Sequence, residues 1–294
     1  MSDNPEDVPF TLLKAWTYAR ARLKAAGIDQ PAIDARLMLE AAAGATRTEI
    51  VTDPYRLITP EQSSTLNDYL ARRERREPVS HILGRKGFWK IMLNVTPDVL
   101  TPRPDTETIV EAALRDWPEY EPRTLLDLGV GSGAIMLAIL AERPGARALG
   151  VDVSEEALAV ARENAANLDL DKRCSLLRGD WTAGLGEATF DLVVSNPPYI
   201  PTRDIETLEP EVRDHEPHLA LDGGHDGLEH YRLLAPEIMR LLKPGGRFLV
   251  EIGWDQSGAV EALFAQAGAI AVATLKDLSD RHRVVWGFKK PLET

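Results

Sequence analysis

Two rhythms of apolar and polar positions divide the chain. From about residue 10 to about residue 77 the apolar residues fall in helical stretches closed by glycine: TLLKAWTYARARLKAAG runs to Gly27 and AIDARLMLEAAAG runs to Gly44. Each glycine suits a left-handed helix cap. Thr59 opens a third helix, with Pro60 in its first turn and Gln62 completing a capping box. The pattern predicts a helical-bundle domain over 1–78. It carries no phosphate-binding loop, metal-spaced histidine pair or nucleophile motif, which leaves substrate recognition as its role. Its closing RRERRE, Arg72 to Glu77, mixes both signs and reads as a solvated helix face.

After Pro78 the rhythm changes. GFWKIMLNVTPDVLTPRP holds β-rich segments broken at Asn94 and Pro97, which predicts a β-hairpin connector over 79–104. From about Asp105 to the end at 294, apolar runs (TLLDLG, RALGVD, FDLVVS, GRFLVEIG) are followed by helical stretches. Strands separated by helices imply an α/β unit with a parallel sheet covered on both faces.

Composition narrows the class. A chain of 294 residues with 44% hydrophobic and 27% charged residues can bury a large core, so disordered and collagenous classes are excluded. Cys174 is the one cysteine, which excludes an internal disulfide and a cysteine metal cluster and suits a reducing cytoplasm. The opening MSDNPEDVPF is acidic and unlike a secretory or mitochondrial leader, and no apolar run reaches the length of a membrane span. A formal charge of −12 argues against general nucleic-acid binding, which needs a basic footprint.

Chemistry concentrates at strand ends. LLDLGVGSGAIMLAIL sets Gly129, Gly131 and Gly133 between a strand and a helix, where a ligand can approach the backbone and meet the amides of a helix start. RALGVD closes the next strand on Asp152, placed to take a ribose hydroxyl pair. Gly129, Gly131 and Ala134 also satisfy a dinucleotide fingerprint. Asp127 ahead of the loop, Gly133, and the acid–aromatic pair Asp180–Trp181 favour S-adenosylmethionine instead: Asp127 suits an ammonium, Asp180 can accept from an adenine amino group, and Trp181 can cover the ring or simply fill core. At the end of FDLVV, SNPPYIP holds Asn196 extended ahead of two prolines. His215 and His218 lack a carboxylate at ligand spacing and read as structural, with no metal expected.

DLGVGSG, GVDVSEEALAVARENA, GDW and SNPPYI, with TPRPDTE before and HEPHLALDGGHDGLEHYR after, resemble the protein-(glutamine-N5) methyltransferases that modify peptide chain release factors. The resemblance spans nearly the whole chain. It implies a class I S-adenosylmethionine-dependent methyltransferase fold, Rossmann-like with a mostly parallel seven-stranded sheet, behind the helical domain and hairpin. It also implies methylation of the Gly-Gly-Gln glutamine of class I release factors in the cytoplasm, with S-adenosyl-L-homocysteine as product and neither stable nucleic acid nor membrane as partner. Asn-Pro-Pro-Tyr alone is shared with adenine-N6 methyltransferases, and a non-catalytic cofactor-binding scaffold is a third reading.

The residues implied for the cofactor are Asp127, Gly129, Val130, Gly131, Ser132, Gly133, Asp152, Asp180, Trp181 and Asn196. For catalysis they are Asn196, Pro197 and Tyr199. Pro198, Arg103 and Glu107 join those three toward the substrate, and Asp105 and Glu107 suit a helix cap nearly as well. Two departures stand out: Val130 replaces a threonine usual in the family, and SDRHR, Ser279 to Arg283, replaces an AGRDR-like segment.

Overall fold

The computed structural model describes residues 10–292, so the reading of the first nine residues lies outside the described part. The chain forms two compact units. One carries the chain up to Gly84 together with Pro210–His215, and the other carries Arg85–Glu209 and the chain from Glu216 onward.

The first unit is helical: α1 (Leu12–Ala25), α2 (Pro31–Ala43), α3 (Arg47–Thr52), α4 (Pro60–Glu74) and α5 (Val79–Leu83). Leu12, Ala15, Ala19 and Leu23 recur at helical spacing and are wholly buried against Met38 and Leu39 of α2 and Leu70 of α4. The expected stops hold: Gly27 and Gly44 are left-handed, and Thr59 and Gln62 form a reciprocal capping box. The sequence reading omits α3, which has its own capping box between Thr46 and Glu49, and α5. Pro78 is the N-cap of α5 rather than a stop, so this unit closes at Gly84, six residues beyond the expected boundary.

The RRERRE face is only partly solvated: Arg75 is exposed, but the rest of the run is half-buried or buried. Arg73 follows Leu66 and Leu70 on the buried side of α4, is 7% exposed, and pairs with Asp34 at 2.8 Å and Glu211 at 2.9 Å. Arg76 reaches Glu211 at 3.1 Å, and Arg72 forks onto Glu77. Both Asp34 and Glu211 lie outside the run, so the run by itself could not reveal the pairing.

The second unit opens on a hairpin, β1 (Arg85–Phe88) and β2 (Ile91–Asn94), turning at a left-handed Trp89. The hairpin is fastened: Trp89 N–H donates to Glu107 at 2.8 Å, and Asn94 exchanges bonds of 2.7 and 3.0 Å with the buried Asn164. Then follow α6 (Glu107–Arg115), β3 (Thr124–Leu128), α7 (Ala134–Glu142), β4 (Arg147–Asp152), α8 (Glu155–Asn167), β5 (Cys174–Arg178) and β6 (Phe190–Ser195). After the excursion of α9 (Pro210–Arg213), which belongs to the first unit, come α10 (Glu229–Leu241), β7 (Leu242–Glu251), α11 (Ser257–Gln266), β8 (Ala269–Lys276) and β9 (His282–Lys289).

These strands form one sheet in the order β5-β4-β3-β6-β7-β9-β8. Pairing is parallel from β5 through β7, and β9 runs against both β7 and β8. Two apolar clusters hold helices to the sheet, one around α6 and α7 and the other around α10 and α11. Helix α7 is apolar all round and buried from Ala134 to Leu140, as a helix between a sheet and other layers must be. Strand order reverses between β4 and β6 on either side of β3, so a crevice opens at their carboxyl ends. Among the described residues no helix is long and apolar enough to cross a membrane.

Candidate active site

A cavity of about 690 Å³ occupies that crevice, within the usual range for a small-molecule site. Its floor is the loop after β3. Gly131 has φ 52° with nothing near a would-be Cβ, and its N–H donates to Asp152 Oδ2 at 2.9 Å. A side chain there would strain the backbone and fill the cavity. The other Asp152 oxygen accepts Ser154 N–H at 3.0 Å, so the acid at the end of β4 is fixed by backbone on both sides.

Asp127 lies beneath the loop rather than on the cavity wall. It is 1% exposed, and Oδ2 accepts Met136 N–H at 3.1 Å. Oδ1 is buried without a hydrogen-bond partner. Burial pushes its pKa well above the usual carboxylate range, partly offset by the Met136 amide, with Asp152 adding repulsion.

Val130, Ser132, Asp180 and Trp181 all line the cavity, and Gly133 caps α7 behind it. Trp181 is left-handed at φ 52°, and its ring rests on Gly129, where a Cβ would lie 3.4 Å away. The ring also meets His230 at 5.2 Å between centroids. Trp181 therefore packs on the loop and bounds the cavity at once. Val130 sits against Gly150, where a Cβ would come within 2.8 Å of its methyl.

Asn196 and Pro198 form the far wall. Ser195 ends β6 by donating to Leu128 O at 2.7 Å, which ties the strand to β3 just before the motif. Tyr199 does not line this cavity, and neither does Pro197. The Tyr199 carbonyl accepts Gln256 Nε2 at 2.9 Å, and its hydroxyl donates to Glu251 Oε1 at 3.3 Å. Gly223 presses on the same backbone: a Cβ there would lie 2.7 Å from Tyr199 Cα. Gly223 N–H donates to Ile200 O at 2.8 Å, so LALDGG, a mere family marker in the sequence, is the brace behind the turn.

Arg103 reaches the cavity and bonds Glu216 Oε2 at 2.7 Å, joining the wall segments 97–103 and 216–220. Glu107 does not reach the cavity, because its carboxylate is spent on the Trp89 amide. Nor do Asp105 and Glu107 cap α6 through side-chain hydrogen bonds, since Asp105 pairs with Arg283 at 3.3 Å. The SDRHR segment completes the β8–β9 turn and begins β9 at His282, and Asp277 just before it accepts Ser279 N–H at 2.8 Å and Arg281 N–H at 3.1 Å. His215 and His218 fall in different units, and no described group of three His, Cys, Asp or Glu is arranged to hold a metal ion.

Sequence reasoning missed the apolar rim of Pro97, Val99, Leu100 and Leu219, and with it Glu216, His230, Glu251 and Gln256. A signal existed for Glu251, since GRFLVEIG writes one acid into an apolar run.

A parallel sheet whose reversed strand lies one place from the edge, with a glycine-floored cavity at its carboxyl ends, is the arrangement of class I methyltransferases. A methyltransferase structure from Pyrococcus furiosus shares this fold at TM-score 0.51 and 20% identity, over 67% of this chain and 88% of that one. Family models match accordingly: "PrmC N-terminal domain" over residues 14–84 and "Methyltransferase domain" over 121–283. The chain is 71% identical to the release factor glutamine methyltransferase of Caulobacter vibrioides, over 97% of this chain and 98% of that protein. With the Rhodospirillum rubrum relative of the same name it shares 47%, over 89% and 80%. The chain belongs to the release factor glutamine methyltransferase family.

The residues present fit S-adenosylmethionine, the cofactor of this class. The open cradle at Gly131 admits a ligand to the backbone, the Asp152 carboxylate adds acceptor lone pairs beside it, and the orphaned Asp127 oxygen leaves an unmet polar atom under the loop.

Proposed function

We propose that this chain methylates the side-chain amide nitrogen, N5, of the glutamine in the Gly-Gly-Gln motif of class I release factors. S-adenosylmethionine would supply the electrophilic methyl and leave as S-adenosylhomocysteine, and the amide nitrogen would release one N–H proton in exchange for the methyl. The observation that carries this reading is the placement of Asn196 and Pro198 across one cavity from Gly131 and Asp152. A carboxamide nitrogen is a poor nucleophile, because its lone pair is delocalised into the carbonyl. The chain's contribution is orientation: the Asn196 side-chain oxygen, on the cavity wall, accepts from the amide and turns the nitrogen toward the donor, while Pro197, off that wall, holds the backbone that carries Asn196. Orientation of bound reactants supplies roughly 7–11 kcal/mol of a barrier. Acceptors already in place also stabilise charge that builds as the N–H bonds polarise.

Gly-Gly-Gln suits the site, since its glycines put no side chains against a rim of Leu100, Pro217 and the exposed Leu219. We place the reaction in the cytoplasm, on protein rather than nucleic acid, because 46 acids against 34 Lys and Arg leave little to hold phosphates. The helical unit, free of the catalytic motifs, is the part we assign to recognition of the release factor. The test is incubation with a labelled methyl donor and release factor, followed by mass spectrometry of the tripeptide. Label on the glutamine, lost when it is changed to glutamate, is expected. Label on duplex DNA at a comparable rate would overturn the assignment.

A further inference from the structure

We propose that Glu251 is a positioning residue for methyl transfer: its carboxylate holds the Tyr199 hydroxyl and so sets the turn that presents Asn196. The inference rests on the function proposed above and concerns the same site. Parallel pairing puts Ser195 of β6 opposite Val250 of β7, so Glu251 emerges one residue further on, level with the start of Asn-Pro-Pro-Tyr. Tyr199 is then gripped at both ends, its hydroxyl by Glu251 and its carbonyl by Gln256, from β7 and the loop that follows it.

Glu251 is 2% exposed, and an acid so placed is costly unless its charge does something there. Tyr199 faces it from the turn after β6, and Tyr231 of α10 donates its hydroxyl to the Glu251 main-chain oxygen at 2.7 Å. Arg283 of β9, Asp105 from the turn before α6, and the neutral Thr106 complete its surroundings, with Asp277 held against Arg283 and Arg103 facing Tyr199. Burial pushes the Glu251 carboxyl up to about 7, against the pull of Thr106, Arg283 and Tyr199, with Asp105 adding to the rise. Above that pH both oxygens only accept, and the Tyr199 hydroxyl must donate to them. Below it, one oxygen carries a proton and the grip loosens. Neither a sulfonium methyl nor a carboxamide titrates near neutrality, and a step that disappears in the Glu251 variant is thereby separated from one set by the donor's own α-amino group.

The experiment measures kcat and KM for release factor between about pH 5.5 and 9, with cofactor affinity by calorimetry, for wild type, Glu251→Gln, Tyr199→Phe and the double variant. The wild-type kcat is expected to rise through about pH 7. Glu251→Gln should lower kcat at high pH several-fold, up to about tenfold, because its amide oxygen still accepts from Tyr199 but without the charge, and erase the step, with KM and cofactor affinity within about twofold. Tyr199→Phe, which leaves the buried acid alone, should erase the same step, and the double variant should be no slower than Tyr199→Phe.

Stability offers a reading independent of activity. Because the folded pKa is raised, the unfolded chain ionises first as pH climbs past the ordinary value of 4.5, so stability falls from there to about 7. Glu251→Gln should flatten that slope. A step near pH 7 that survives in Glu251→Gln, or additive losses in the double variant, would overturn the inference while leaving the proposed function intact. A wild type that methylates no release factor at any pH overturns both.

Discussion

The two walls of the cavity are built on opposite principles. The donor side is local: the loop, its left-handed glycines and Asp152 lie within a short stretch of chain, and one bond from Gly131 N–H to Asp152 closes it. The acceptor side is assembled from afar. Asn196 and Tyr199 keep their places because Gly223, Glu251 and Gln256, each brought in by a different segment, press or hold the turn. A wall made of backbone amides binds a ligand whose shape does not change, whereas a wall made of braced side chains can be tuned to one acceptor nitrogen. The contrast says that damage to the first should show in affinity and damage to the second in rate.

The largest effect expected is on the acceptor side. Under the proposed function, Asn196→Ala removes an oriented acceptor from the nitrogen that receives the methyl and should cost kcat about 10²–10³-fold, as loss of one preorganised hydrogen-bond partner does elsewhere. Cofactor affinity should stay within a few fold, since the donor wall stands without Asn196. Single-turnover rates beside calorimetry decide the matter, and a collapse of cofactor binding would move Asn196 to the other wall.

Asp152→Ala should do the reverse. Its carboxylate holds the Gly131 amide and, under the proposed function, takes the ribose hydroxyls, so removing it should weaken cofactor binding by about 1.5–3 kcal/mol. At saturating cofactor, kcat should recover to nearly the wild-type value. An unchanged dissociation constant would sink the assignment.

The same contrast explains what could be read from sequence. Glycines between a strand and a helix, an acid closing the next strand, and helix stops at Gly27, Gly44 and Thr59–Gln62 are local, and local chemistry shows in local spelling. The pairing of Arg73 with Asp34 and Glu211 joins remote segments, so RRERRE reads as solvated although its second arginine is buried. Glu107 fails for a related reason: its partner, the Trp89 amide, is exposed by a left-handed turn that no spacing rule announces. Tyr199 is expected among the catalytic residues, yet it does not line the cavity, and Glu251 and Gln256 tie its hydroxyl and its carbonyl. Helices as short as α3 and α5 have too few residues to show a period, and their caps alone mark them.

The smallest effect expected tests how far the donor wall depends on backbone alone. Val130 stands where the family usually has threonine, and its methyls pack on Gly150 of β4 while its N–H donates to Val151 O at 2.9 Å. That amide bond does not depend on the side chain. Val130→Thr keeps the volume but buries a hydroxyl 5% exposed at most, so it should cost stability about 1 kcal/mol if the hydroxyl finds no partner and less if it finds one. The glycines on either side and the Asp152 bond remain, so cofactor affinity should move by no more than about threefold, equal to less than 1 kcal/mol. Thermal unfolding and calorimetry on the same preparation separate the two. An affinity change well beyond that limit would mean that the donor wall recognises its ligand through the side chain at 130 as well as through amides, and the division between a backbone-built wall and a side-chain-built one would have to be given up at that position.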